Sequence, residues 1–213
     1  MKIETIIQSF STGVVILLVT GVILTIASGS YGVTAMKPSK DFAYLLDNEP
    51  EEGMHIKGEV LYTYDCFASE ETYTEKSNGT RTQSKTSHYY YAVPAGIGVI
   101  ALEIPIADHK NMEALLEETV TYMAGGEAPS TKVTVDGGIR AMPSDMKSLL
   151  KEYLTEVGFT REEIDDMGPY LLIKQPVSMS QTRSVFLVGI ALVLLGAVWF
   201  VINCVRNVKD EVI

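Results

Sequence analysis

The residue types that most often perform chemistry are few in this chain and form no familiar motif. There are three histidines in 213 residues. His55, His88 and His109 match none of the HxxxH, HExxH or Cys/His spacings that are typical of zinc sites. Single histidines at the starts of strands and helices are usually surface or capping residues. The sequence therefore predicts no metal site.

The two cysteines give no sign of a disulfide framework or of a reactive thiol. Cys66 lies in the middle of the chain and Cys204 at the end of an apolar segment, which would place them on opposite sides of a membrane. A nucleophilic thiolate needs a positively charged neighbour, whereas Cys66 lies beside Asp65 and near Glu70. We expect Cys66 to be a buried strand residue.

Other catalytic and cofactor motifs are also missing from the sequence. It contains no GxSxG nucleophile elbow, no Walker sequence and no GxGxxG run. Its acidic pairs are expected on solvated helix faces or loops, and Asp165-Asp166 lacks the alternating spacing of a calcium loop. We therefore predict no catalytic residues and no cofactor.

Tyrosines form the one unusual group of polar side chains. The cluster, a possible interaction surface, consists of Tyr62, Tyr64, Tyr89, Tyr90 and Tyr91. Tyrosine suits binding surfaces because its ring is apolar and its hydroxyl forms hydrogen bonds. The alternative is that these residues reflect ordinary strand propensity.

The charged residues are unevenly distributed along the chain and divide it into segments. The net charge is -10, although 46% of the residues are hydrophobic. No charged residue occurs between Thr5 and Met36 or between Ser184 and Val205. The intervening part therefore carries 14 basic and 24 acidic residues, a balance that repels nucleic acid.

Two uncharged segments predict two transmembrane helices, at residues 10–31 and 184–205. Each has 22 residues, which at about 1.5 Å per residue span a bilayer core of about 30 Å. A buried core helix is the alternative for either segment. The first could also be a signal peptide cleaved after Val33-Thr34-Ala35, but its apolar run is longer than the usual core of about 7–15 residues.

Small residues recur in both predicted spans. Gly21, Thr25 and Gly29 are spaced by four residues in the first, and Gly189 and Gly196 by seven in the second. Small side chains let helix backbones approach closely in lipid, so these residues predict a helix-packing face. Alternatively, they reflect the general frequency of glycine in membrane helices.

The stretch between the spans predicts an α+β domain at residues 36–183, with tails at 1–9 and 206–213. His55–Ala68 alternates like one long strand, and His88–Val93 and Ile97–Ile104 predict two more. Asn78-Gly79 predicts a tight turn. Helices are expected from Asp108 and from Ser144, and Thr160 with Glu163 predicts a capping box.

The order of these elements allows two architectures. An OB-like small barrel has five strands with a helix between the third and fourth, which the order matches, with extra helices before the last strand. A generic α+β sandwich with helices on one face of a sheet is the alternative.

The chain resembles uncharacterised two-span membrane proteins of Gram-positive bacteria, a family of unknown function. The segments that carry the resemblance are GEVLYTYDCFASEET, YYYAVPAGIGVIALEIP and LLKEYLTEVGFT. The resemblance implies a bacterial membrane protein and transfers no catalytic residue.

These features favour a two-span membrane protein that displays an acidic, non-enzymatic binding or assembly domain. Its expected partner is the lipid bilayer, and other membrane proteins or further copies of itself are candidate partners. A membrane-anchored enzyme or a transporter accessory subunit is the alternative. We expect both termini in the cytoplasm and the domain outside, because a short tail before a first apolar segment is typical of a signal anchor.

Overall fold

The computed structural model describes residues 10–210, except residues 76, 78, 80 and 97. The chain divides into two compact units, one formed by Met1–Met36 with Met179–Ile213 and the other by Lys37–Ser178. The predicted N-terminal tail, the end of the C-terminal tail and Asn78 of the predicted turn lie outside the described residues.

The first unit contains two long apolar helices, α1 (Thr12–Met36) and α6 (Met179–Asp210). Both are long and apolar enough to cross a membrane. Gly29 interrupts α1 with φ 51° and ψ −150°, a conformation that glycine adopts easily because it has no Cβ. The two termini of the chain therefore supply two candidate membrane spans.

The second unit is built on a mixed sheet of six strands among the described residues. The strands are β1 (His55–Val60), β2 (Asp65–Thr72), β3 (Lys85–Ala95), β4 (Gly98–Pro105), β5 (Val133–Ala141) and β6 (Tyr170–Lys174). Their order in the sheet is β1-β5-β6-β4-β3-β2, in which only the β4–β6 pair is parallel. The predicted α+β class is confirmed.

Helices cover both faces of this sheet. They are α2 (Tyr44–Asp47), α3 (Ile106–Met123), α4 (Ser144–Glu156) and α5 (Arg161–Asp166). Successive residues of β3 point to opposite faces. Tyr91 packs in the core cluster that includes Leu115 of α3, and Tyr90 packs in the cluster that includes Leu150 and Leu154 of α4.

The prediction of one long strand at His55–Ala68 was wrong. The chain forms β1 and β2 instead, and these pair with β5 and β3 at opposite edges of the sheet. Between them, two groups donate hydrogen bonds to the carbonyl oxygen of Ala92. The Thr63 hydroxyl lies 3.2 Å from it and the Tyr64 backbone nitrogen 2.8 Å. The apolar alternation continues through this break, so it does not reveal where the ladder ends.

The expected OB-like barrel is not supported, because the sheet is open. In the described ladders, β1 and β2 are the two edge strands and do not pair with each other. A closed barrel requires that the last strand pair with the first and remove both edges.

Helix starts were predicted with mixed success. The capping box of α5 is confirmed: Thr160 Oγ1 accepts from the Glu163 backbone, and the Glu163 carboxylate accepts from the Thr160 backbone. Asp108 was expected to cap α3, but α3 begins at Ile106. Asp108 instead forms an ion pair with Lys174 of β6, 2.8 Å away.

Candidate binding site

An open apolar cavity of about 480 Å³ lies in the domain, at the C-terminal ends of α3 and α4. Val99 and Leu154 are each only 2% exposed and belong to the core. Val120, Met123 and Val157 are all more than half exposed. In the described part of the chain the lining consists of Tyr64, Val99, Val120, Met123, Tyr153, Leu154, Val157 and Phe159.

The cavity exists because the apolar stripes of two helices are only partly covered by protein. The i, i+3, i+4 spacing on α3 predicts one buried stripe, which consists of Met112, Leu115, Leu116, Thr119, Val120 and Met123. Leu115 is fully buried, but Val120 and Met123 are 57% and 69% exposed. On α4, Leu154 is buried and Val157 at its C-terminal end is 53% exposed. The predicted burial of these stripe ends was wrong, and they line the cavity instead.

The described lining residues include no Asp, Glu, Lys, Arg or His. Two of the described lining residues, Tyr64 and Tyr153, can ionise. Burial, then the nearby charge of Asp65 and then Tyr64, raise the pKa of Tyr153 to about 12. The Tyr153 ring also stacks on Phe67, with centroids 6.0 Å apart. The cavity therefore offers apolar surface and two phenol hydroxyls.

The five tyrosines singled out from the sequence do not share one surface. Tyr64 lines the cavity, and Tyr62 stacks on Tyr122 of α3 with centroids 5.6 Å apart. Tyr90 and Tyr91 are 7% and 0% exposed and therefore belong to the core. An interaction surface at Tyr62 and Tyr64 stays a prediction.

A polar cluster lies between β3 and α3. The Tyr91 hydroxyl donates a hydrogen bond to Glu113 Oε1, and its oxygen lies 2.8 Å from His109 Nδ1. Because a phenol has one proton, this arrangement requires His109 Nδ1 to carry a proton and to donate it. The His109 ring is further held by Tyr89, which stacks on it with centroids 3.6 Å apart.

The surroundings of this cluster favour the protonated forms of the Tyr91 hydroxyl and the Cys66 thiol. Burial raises the pKa of Tyr91, and the hydrogen bond with Glu113 adds to the rise. Burial also raises the pKa of the neighbouring Cys66 thiol, followed by the charge of Glu113. A protonated thiol is a poor nucleophile. The group can position a proton at His109, but it does not activate Cys66.

The other two histidines lie within hydrogen-bond distance of carboxylates. His55 Nε2 lies 2.8 Å from Asp136 Oδ1, and His88 Nδ1 lies 2.9 Å from Glu70 Oε2. Within residues 10–75, 77, 79, 81–96 and 98–210, no three His, Cys, Asp or Glu side chains are grouped so that they could hold a metal ion.

Four of the five small residues singled out in the helices lie at the contact between α1 and α6. A Cβ on Gly21 would lie 2.8 Å from the Gly189 carbonyl oxygen, and one on Gly189 would lie 2.6 Å from Thr25 Oγ1. A Cβ on Gly196 would lie 2.9 Å from the Leu18 side chain. These distances are too short for a larger residue, so the backbones approach closely here.

The fifth residue, Gly29, makes no such contact, and the sequence analysis missed two that do. A Cβ on Gly29 would meet nothing within 4 Å, so its role is the change of backbone direction in α1. Gly13 packs against Trp199 and Gly32 against Phe186, at Cβ distances of 2.8 and 2.5 Å. The 11-residue spacing between Gly21 and Gly32, close to three helical turns, was the available signal.

The match to a protein family covers both helices and the domain. A family model described as a domain of unknown function (DUF8577) matches residues 3–206. This chain belongs to DUF8577. No curated protein and no solved structure matches it. The single match therefore includes both the candidate spans and the domain with the cavity, and the function of the family is unknown.

Proposed function

We propose that this DUF8577 protein is a two-span integral membrane protein of bacteria whose acidic domain is a non-enzymatic binding module. The two long apolar helices support the anchoring. The connections to the domain are short: α1 ends at Met36, and the Lys40 backbone already bonds to His55 of β1.

The observation that carries the binding role is the apolar cavity. A well-formed apolar cavity with a few polar groups is the usual form of a small-molecule site. The volume of about 480 Å³ lies within the range of small-molecule sites, about 300–1,000 Å³. Its most exposed lining residue, Met123, has a flexible side chain that adapts to different ligands.

The test uses the full chain in lipid nanodiscs with methionine methyl groups labelled with ¹³C. Naphthalene is added as a small uncharged apolar probe. We expect a saturable shift of the Met123 methyl resonance, because Met123 lines the cavity. The Met112 resonance should not move, since Met112 is fully buried in the other core cluster.

A matched pair of variants decides whether the shift reports the cavity. Val157→Asp places a charge in the lining and should abolish the saturable shift. Val177→Asp changes the same residue type at similar exposure, 48% against 53%, outside the lining, and should preserve it. An unchanged Met112 resonance shows that each variant is folded. A Met123 shift that survives Val157→Asp would contradict the proposal.

An enzyme is the second candidate, favoured by the Tyr91, His109 and Glu113 cluster next to Cys66. It predicts that the Cys66 thiol ionises easily enough to react at neutral pH. The binding role predicts slow alkylation at pH 7, because burial raises the pKa of Cys66. Iodoacetamide labelling of the Cys204→Ser variant between pH 6 and 10 separates the two. Rapid labelling at pH 7 that depends on His109 would favour the enzyme.

Association with other membrane proteins, as a transporter accessory subunit or as an oligomer, is a further role of the same architecture. The close approach at Gly21 and Gly189 is already used between α1 and α6 of one chain. Partners would therefore contact other faces of the two helices or the domain. Nucleic acid is not among the proposed partners, because the domain carries the excess of acidic residues.

The proposed topology places both termini in the cytoplasm and the domain outside. The test is a cysteine at the exposed Ser77, in a background with Cys66→Ser and Cys204→Ser. A membrane-impermeant maleimide should label Ser77→Cys in intact cells. Labelling only after the membrane is opened would place the domain in the cytoplasm.

A further inference from the structure

The hydrogen-bonding capacity of the cavity narrows the class of its ligand. Among the described lining residues, only the hydroxyls of Tyr64 and Tyr153 belong to polar side chains. An extended peptide segment would bring one N–H and one C=O per residue, and each would need a partner when buried. A hydrocarbon chain brings none, so it can fill this lining without leaving polar groups unsatisfied.

The volume sets the length of such a chain. A protein cavity of about 150 Å³ holds one benzene molecule, which is about 25 Å³ per carbon atom. On that scale the observed cavity of about 480 Å³ accepts roughly 19 carbon atoms. This is enough for one long acyl chain and too little for the two chains of a diacyl phospholipid.

We infer that the cavity binds the acyl chain of a single-chain amphiphile, a long-chain fatty acid. The inference rests on the proposed binding function and names its ligand class. The carboxylate remains at the open side of the cavity, in contact with water, while the chain contacts Val99 and Leu154 at the buried side. Fatty acids concentrate in bilayers, so two spans raise the local concentration of this ligand around the domain.

The test is photo-crosslinking of the full chain in nanodiscs with a palmitic acid that carries a terminal diazirine. Labelled peptides are mapped by mass spectrometry, which separates cavity residues from the membrane helices. We expect labelling at Val99, Leu154 or Phe159. It should fall at least tenfold in Val157→Asp and stay within twofold of the wild-type level in Val177→Asp.

Parallel experiments separate the possible failures. Labelling confined to α1 and α6 would show partition into the bilayer only and would overturn the inference. Labelling of the cavity by a photoactivatable phosphatidylcholine but not by the fatty acid would also overturn it. If naphthalene still shifts Met123 while the fatty acid fails to label the cavity, the binding function stands and the ligand class is wrong. If both fail, the cavity is not a binding site.

Saturated fatty acids of increasing length give an independent readout in competition with the photoprobe. The benefit of burying one methylene corresponds to about fourfold in affinity at most. A fatty acid in the bilayer already has its methylenes buried, so transfer to the cavity gains little per added methylene. At equal concentrations in the bilayer, competition should therefore change little up to about 19 carbon atoms. Longer chains exceed the cavity and should compete at least tenfold less well. Equal competition by a chain of about 26 carbon atoms, well beyond that capacity, would contradict the single-chain fit.

Discussion

Leu115→Ala tests whether α3 is held to the sheet by the residues that the structure assigns to it. Leu115 is fully buried in the core cluster that includes Tyr91. Removing three carbon atoms forfeits about 2.4 kcal/mol of transfer free energy, at about 0.8 kcal/mol per carbon. The cavity left behind raises the total cost in unfolding free energy to about 2–5 kcal/mol.

Val120→Ala is the matched comparison on the same helix. Val120 is 57% exposed, so its two lost carbon atoms forfeit about half of their transfer free energy, about 0.7 kcal/mol. The higher helix propensity of alanine returns about 0.5 kcal/mol. The net change should stay within about 0.5 kcal/mol, in contrast to Leu115→Ala.

Urea unfolding of the full chain in micelles measures both changes. Near-UV circular dichroism of the tyrosines reports mainly the domain, which holds ten of the eleven tyrosines, whereas the one tryptophan, Trp199, lies in α6 and reports the helix pair. Equal losses for Leu115→Ala and Val120→Ala would show that the whole apolar stripe is covered by protein. That result would refute the burial assignment and remove the cavity.

Two further predictions concern the packing of α1 against α6 and the titration of Glu103 in β4. Gly189→Ile should reduce disulfide crosslinking between cysteines placed at Phe10 and Phe200, whose rings are 4.5 Å apart, because a Cβ at Gly189 already meets Thr25. Ala191→Ile, on an exposed face of α6, is the control, and equal crosslinking in both variants would argue against a close approach. Burial raises the pKa of Glu103, so the folded state holds its proton more tightly than the unfolded state does, and stability should fall as the pH rises from about 4.3 through the raised pKa. Glu103→Gln should remove this fall in the urea midpoint between pH 4 and 8, and a pH slope equal to that of the wild type would contradict it.

Features set by neighbouring residues in the chain could be predicted from the sequence. The α5 capping box depends on two residues three positions apart, and both of its hydrogen bonds are present. The two apolar helices follow from composition alone. The α3 stripe was predicted correctly at Met112 and Leu115, where the helix packs on the sheet.

Features set by distant residues could not be predicted. The Tyr91 hydroxyl meets Glu113 and His109 because β3 passes under α3, and no local pattern encodes that contact. The positions of β1 and β2 at opposite edges of the sheet depend on which strand each one pairs with. Both halves alternate with the same period, so the period cannot specify that β1 joins β5 while β2 joins β3.

The apolar cavity shows the limit of periodicity as a signal for burial. An apolar residue at helical spacing indicates that its side chain leaves water, but it does not say what covers it. Leu115 is covered by the sheet, whereas Met123, two turns further along α3, is 69% exposed in the same stripe. Likewise Leu154 of α4 is buried, whereas Val157, directly after the end of α4, is 53% exposed. The exposed ends of both stripes line one cavity. A ligand bound in this cavity would cover the apolar side chains that the protein itself leaves exposed.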